Sequence, residues 1–240
     1  MKVAKIRGGK NMKNKKKVII IVAVLVVVLA AVGVVGYDLY QKGVLVQETE
    51  KLSQIDITSE QIDMTIYSAG RYGKIEKAEK EYLNEFSKLI KELVTMYSNE
   101  DLTNILSIQN YKEDGPDFVK TKAFVTDYKQ KSEEIINQIS SMIEEDAMMK
   151  KIEEVEGLSK KDHELYRSLM LNDETREDLK KSKEQIEQAK DLFNKTLEGS
   201  LNILNFLSEN KDSWSLSDTN ILFSSVSDLQ RYNELVNALK

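Results

Sequence analysis

The sequence predicts an all-α protein: a single N-terminal transmembrane helix followed by an extracytoplasmic antiparallel helical bundle. Three observations lead there. The first is a charge-free apolar run at residues 18–37 behind a basic tail. The second is apolar residues recurring every three or four positions over long stretches from residue 74 onward. The third is a chain with one proline and no cysteine, so its stability has to come from a packed core.

The apolar run holds fourteen Val, Ile and Leu residues between Val18 and Val35. At about 1.5 Å of rise per residue, twenty helical residues span the roughly 30 Å hydrocarbon core of a bilayer. Val and Ile form helices poorly in water, but lipid overrides that preference because each backbone N–H and C=O must be satisfied within the segment. Seven lysines and one arginine precede the run with no acid among them, including Lys13, Lys15, Lys16 and Lys17 at its edge. Positive charge stays on the cytoplasmic side, and Tyr37 and Tyr40 fall at the exit, where amphipathic rings sit among headgroups. These six residues are the expected membrane-anchor flanks, and the lipid bilayer the first expected partner. The alternative is a cleaved signal peptide, with Ala31-Val32-Gly33 as a poor cleavage site, which would make the protein secreted.

The expected organisation is a basic cytoplasmic tail (1–17), a transmembrane helix (18–37), a juxtamembrane connector (38–57) that partly continues the membrane helix, and an extracytoplasmic helical domain (58–240). Eight of the 35 Lys and Arg and none of the 40 Asp and Glu precede Val18. The rest of the chain therefore has 27 positives against 40 negatives, a formal charge of −13. Such a surface repels nucleic acid and anionic lipid. A cationic partner would suit it, though net charge of this kind mainly reports solubility.

Within the domain, Thr58 and Gln61 have capping-box spacing and mark an expected helix start, with Gly70 and Gly73 as interruptions. Ile75, Ala78, Tyr82, Phe86, Leu89, Leu93 and Tyr97 form one apolar stripe, ending near Ser98-Asn99. A short helix is expected over 101–108, then a turn through Asn110–Asp117 around Gly115-Pro116. A second long helix is expected over 117–154, and a short one opening at a Ser159/Asp162 capping box. A further long helix is expected over 174–208, and a closing helix after Ser225. Between the last two, the alternation in Trp214-Ser215-Leu216 and Ile221-Leu222-Phe223 reads as a small β-hairpin near 213–223 with a three-residue loop, in competition with a helix.

No catalytic, cofactor-binding or metal-binding constellation stands out. His163 is the sole histidine, and no Cys is available for a zinc site or a thiol nucleophile. No G-x-S-x-G, G-x-G-x-x-G or P-loop motif occurs, and Gly70-Arg71-Tyr72-Gly73 is too short to cradle a phosphate. The acids at 144–146 and 153–156 alternate with Lys150 and Lys151, as on a solvated helix face. Asn194-Lys195-Thr196 matches a glycosylation acceptor but falls inside an expected helix. Tyr111, Trp214 and Phe223 are the candidate partner-binding residues, set against the commoner role of aromatics as core anchors. The expected role is a non-enzymatic binding or scaffolding component of a bacterial cell envelope, with a protein partner there. The alternative is a ligand-binding sensor domain that signals through a partner subunit, since a seventeen-residue tail cannot house an output domain.

Overall fold

The structure is a computed structural model and describes residues 2–5 and 39–239. It is mostly helical with a small antiparallel sheet. In chain order the elements are β1 (Lys2–Lys5), α1 (Leu39–Ser53), α2 (Gly70–Tyr97), α3 (Glu100–Asn104), α4 (Ile108–Asp114), α5 (Val119–Met142), α6 (Glu145–Glu153), α7 (Lys160–Met170), α8 (Asp173–Glu209), β2 (Trp214–Leu216), β3 (Asn220–Phe223) and α9 (Val226–Ala238). Among the described residues no helix is long and apolar enough to cross a membrane. The apolar run 18–37 lies outside them, as do Lys13, Lys15, Lys16, Lys17 and Tyr37, while Tyr40 is described and 77% exposed.

The connector expected over 38–57 is largely the helix α1. The helix start expected at Thr58 is absent. Asp56, not Thr58, organises that stretch: its carboxylate accepts the Thr58 N–H, the Thr58 hydroxyl and the Ser59 hydroxyl. Such local bonds favour a turn over a helix. Residues 61–69 then run as an extended strap until Gly70, whose φ of +61° suits a residue without Cβ, opens α2. Gly73 is needed for another reason. A Cβ there would lie 2.6 Å from the Ser68 carbonyl oxygen, so only glycine lets the strap close onto the first turn of α2.

Two further boundaries differ from expectation. The stretch read as a turn over 110–117 contains α4, whose N-terminus Ser107 caps by accepting the Asn110 N–H. Asp114 then accepts the N–H and hydroxyl of Thr121, tying the end of α4 to the start of α5. The helix expected to run unbroken from 117 to 154 stops at Met142 and restarts as α6 behind Glu144. After the restart, Met148, Met149 and Ile152 are buried in the core. The Ser159/Asp162 capping box is present, with Asp162 accepting the Ser159 N–H at 2.8 Å. Ser159→Ala is expected to cost about 1 kcal/mol, read as a lower urea midpoint at unchanged slope.

The chain divides into two compact units, with boundaries inside α2, α5 and α8. The described part of one comprises 39–95 and 135–187; its core includes Leu45, Ile75, Tyr82, Met149, Ile152, Tyr166 and Met170. The described part of the other comprises 2–5, 96–134 and 188–239, with Tyr111, Phe118, Val125, Ile203, Leu204, Leu207, Ile221 and Phe223 inside. The hairpin expected near 213–223 is present as β2 and β3 around Ser217–Thr219. Ser217 and Ser224 N–H groups donate to Asn220 and Ser213 carbonyls across it. Backbone direction alternates along an antiparallel strand, so the Ile221 and Phe223 amides face away from β2. On that side β1 pairs with β3, Lys2 opposite Phe223 and Ala4 opposite Ile221.

Candidate functional site

The three aromatic candidates are interior residues. Tyr111 and Phe223 are buried, and Trp214 is half-buried with its indole N–H donating to the Leu207 carbonyl at 2.7 Å. The Phe118 ring lies 6.1 Å from Trp214 and 5.4 Å from Tyr111, so these rings pack together in the core of their unit, with only Trp214 partly exposed. Phe118 reaches that position with φ of +54°, a backbone conformation few non-glycine residues adopt.

The acids singled out in the sequence are engaged in ion pairs or exposed. Glu145 is held by Arg167 and Arg176, each at 2.6 Å, and Glu144 pairs with Lys183. Glu153, Glu154 and Glu156 are exposed. Asn194 sits within α8 and donates to Glu133. His163 is half-buried in the first turn of α7. Among the described residues no cluster of three His, Cys, Asp or Glu could hold a metal ion.

The polar chemistry lies in the other unit, between α1, the strap and α2. Glu76, Glu79 and Lys80 are each at most 1% exposed, and Glu48 is 6% exposed. Lys80 Nζ sits 2.7 Å from Glu76 and 3.3 Å from Glu48, and donates to the Thr65 carbonyl of the strap at 2.5 Å. Glu76 also accepts the Tyr67 and Ser68 N–H groups and the Ser68 hydroxyl. Burial pushes the Glu76 carboxyl up, but those donors and Lys80 outweigh it and hold it below its ordinary value. Lys51 pairs with Glu48 at the rim at 2.5 Å. Two carboxylates thus meet two ammonium groups, and the charges balance with Glu79 neutral.

Glu79 is the exceptional member. Burial pushes its carboxyl up to about 8; Thr49 and Lys80 oppose that shift, and Glu76 adds to it. The geometry around Thr49 agrees. Its hydroxyl oxygen lies 2.7 Å from Glu79 Oε2 and 3.1 Å from the Leu45 carbonyl oxygen. One hydroxyl proton serves one of these acceptors, so both contacts are satisfied when Glu79 brings the second proton. The O–H of Glu79 then donates to Thr49, and Thr49 donates onward to Leu45. The other oxygen, Oε1, is buried with no protein partner.

Sequence reasoning missed this cluster, although one signal was present. Glu79 stands four residues after Ile75 and three before Tyr82, inside the apolar stripe of α2. An acid at a core register position is a departure from the pattern that surface acids obey.

No family model matches the chain, and no curated protein or solved structure matches it. Fold and site together define a mostly helical protein with a charge-balanced buried cluster that fastens a helix and a strap to α2.

Proposed function

We propose that this is a single-pass membrane protein of the bacterial cell envelope, whose helical region, held outside the cytoplasm, binds or scaffolds another envelope protein without catalysis. The observation that supports it most is the uncharged run 18–37 behind eight cationic residues, followed after a single residue by the ordered helix α1. A second reading, a sensor domain acting through a partner subunit, draws on the buried cluster. The helix nearest the apolar run is the one the cluster fastens, so a shift in that cluster would move the segment leading to the membrane.

The pairing of β1 with β3 bears on both readings. A chain that crosses a bilayer once through 18–37 holds Lys2–Lys5 and the hairpin on opposite sides. The anchored form therefore requires that β1 leave β3.

The absence of native cysteine makes the topology testable. Lys88→Cys in intact cells is expected to react with a membrane-impermeant maleimide, and Lys5→Cys only after permeabilisation. Equal labelling of both from outside sinks the topology. Crosslinking followed by purification from solubilised membranes is expected to recover a specific envelope protein; recovery of none sinks the scaffolding role.

A further inference from the structure

The chain beyond residue 37 is acidic as a whole, but one end of the unit made of 39–95 and 135–187 has a different character. The starts of α1, α2 and α7 meet there. Gln41, in the first turn of α1, accepts the Ala69 N–H through its side chain at 2.7 Å. Arg71, in the first turn of α2, lies 3.6 Å from Asp162 in the first turn of α7. Lys74 donates to the Glu156 carbonyl just before α7.

Four cations are exposed at this end: Arg71, Lys74, Lys160 and Lys161. Asp162 is buried beneath them, leaving Asp63, Glu156 and Glu164 as the exposed acids nearby. The apolar side chains are as unusual. Of the large hydrophobic residues exposed among the described ones, Tyr40, Met64, Ile66 and Tyr67 belong to α1 and the strap. Ile66 is placed at this end by its methyl group, which lies 3.4 Å from where a Cβ at Gly73 would sit.

We infer that this end, with Tyr40 in the first turn of α1 and the strap residue Ile66 at its centre and Arg71, Lys160 and Lys161 around them, seats on the anionic surface of the bilayer that holds the anchor. The inference rests on the anchored reading. Only residue 38 separates the apolar run from α1, and one residue spans at most about 3.6 Å. The tether therefore keeps Gln41, and the strap end bonded to it, within roughly a headgroup layer of the hydrocarbon. Exposed aromatic and aliphatic side chains gain from that boundary, and each well-placed cation adds attraction to anionic lipid. The formal charge of −13 on the chain after the basic tail conceals this local arrangement, because a bilayer responds to the charges within about a Debye length of it.

The test uses the full chain in vesicles of phosphatidylcholine and phosphatidylglycerol. Single substitutions Val27→Cys, Ile66→Cys and Lys88→Cys each carry one environment-sensitive fluorophore. Lys88 lies eighteen residues beyond Gly70, about 27 Å along α2. Probes at 27 and 66 are expected to shift to the blue and be quenched by spin-labelled lipid, while the probe at 88 remains in water. Quenching at 66 is expected to fall at least twofold when Arg71, Lys160 and Lys161 are all changed to Glu, or in about 1 M salt with no charge substitution. A probe at 66 as wet as that at 88, with 27 quenched, overturns the seated end and leaves the anchor standing. Quenching at 66 that neither charge reversal nor salt alters overturns the anionic surface as its occupant. A probe at 27 in water overturns the anchor, and the seat with it.

Discussion

Replacing Glu79 with Gln is expected to make the protein more stable above neutral pH and to leave it nearly unchanged near pH 5. The folded carboxyl titrates at about 8 against an ordinary value of 4.5. As pH rises from 4.5 toward 8, the unfolded chain gives up this proton while the folded chain keeps it, so stability falls across that window. Above 8 both states are ionised and the loss is complete. The ceiling on that loss is about 5 kcal/mol, and relaxation of a buried site will reduce it. The glutamine amide of the variant needs no titratable proton: it can donate to Thr49 as the neutral acid does. A thermal melt at pH 8.5 is expected to place the variant up to about 10 °C above the parent, at roughly 2–4 °C per kcal/mol, with the two converging at pH 5. Parallel pH profiles for parent and variant would show that Glu79 is ionised throughout and sink the assignment.

The second large effect is expected at Lys80. This ammonium group holds Glu76, Glu48 and the Thr65 carbonyl together, with 1% of its side chain exposed. Lys80→Met keeps an unbranched apolar stem and removes the ammonium group, leaving two buried carboxylates against the single rim cation Lys51. Loss of one partner from a buried pair costs about 3–5 kcal/mol. The loss is expected to appear as a lowered urea midpoint, with faster amide exchange in α1 and in residues 65–68 than elsewhere. Adding Glu76→Gln to Lys80→Met should recover part of the loss, because the stranded charge is gone. A Lys80→Met variant within about 1 kcal/mol of the parent would mean that Glu76 is satisfied by Ser68 and Tyr67 alone.

Those two residues also show what the sequence could and could not convey. Periodicity located α2, α8 and α9 well, since a 3.6-residue stripe of Leu, Ile, Tyr and Phe has few alternative interpretations. The Ser159/Asp162 cap and the helix start behind Ser225 were legible because a cap is a local bond between residues three apart. The hairpin's alternation was visible too. The strap was not, because its shape depends on bonds from Tyr67 and Ser68 to Glu76, and between Lys80 and Thr65, that no local pattern announces. The break between α5 and α6 was hidden for the same reason: a helical pattern continues through Ile143, and tertiary packing of Met148 and Ile152 decides where the chain turns. Trp214 and Tyr111 were legible as prominent aromatics, but their burial was set by Phe118 across the core, a partner 96 positions from one and 7 from the other. The buried acid of the candidate site was written into the stripe, and was obscured by a neighbourhood of Lys and Glu that resembles a solvated face.

The short sheet has one further consequence. In a chain inserted across the bilayer, β3 loses the strand at its outer edge, and the amides of Ile221 and Phe223 then face an empty lane. Such an edge is an invitation to pair with another chain, and β3 is only four residues long, which limits how firmly any intruder could hold. The same two amides would serve as a marker of whether a given molecule has been threaded: protected from hydrogen exchange while the N-terminus lies alongside, and quick to exchange once it has been left behind on the far side.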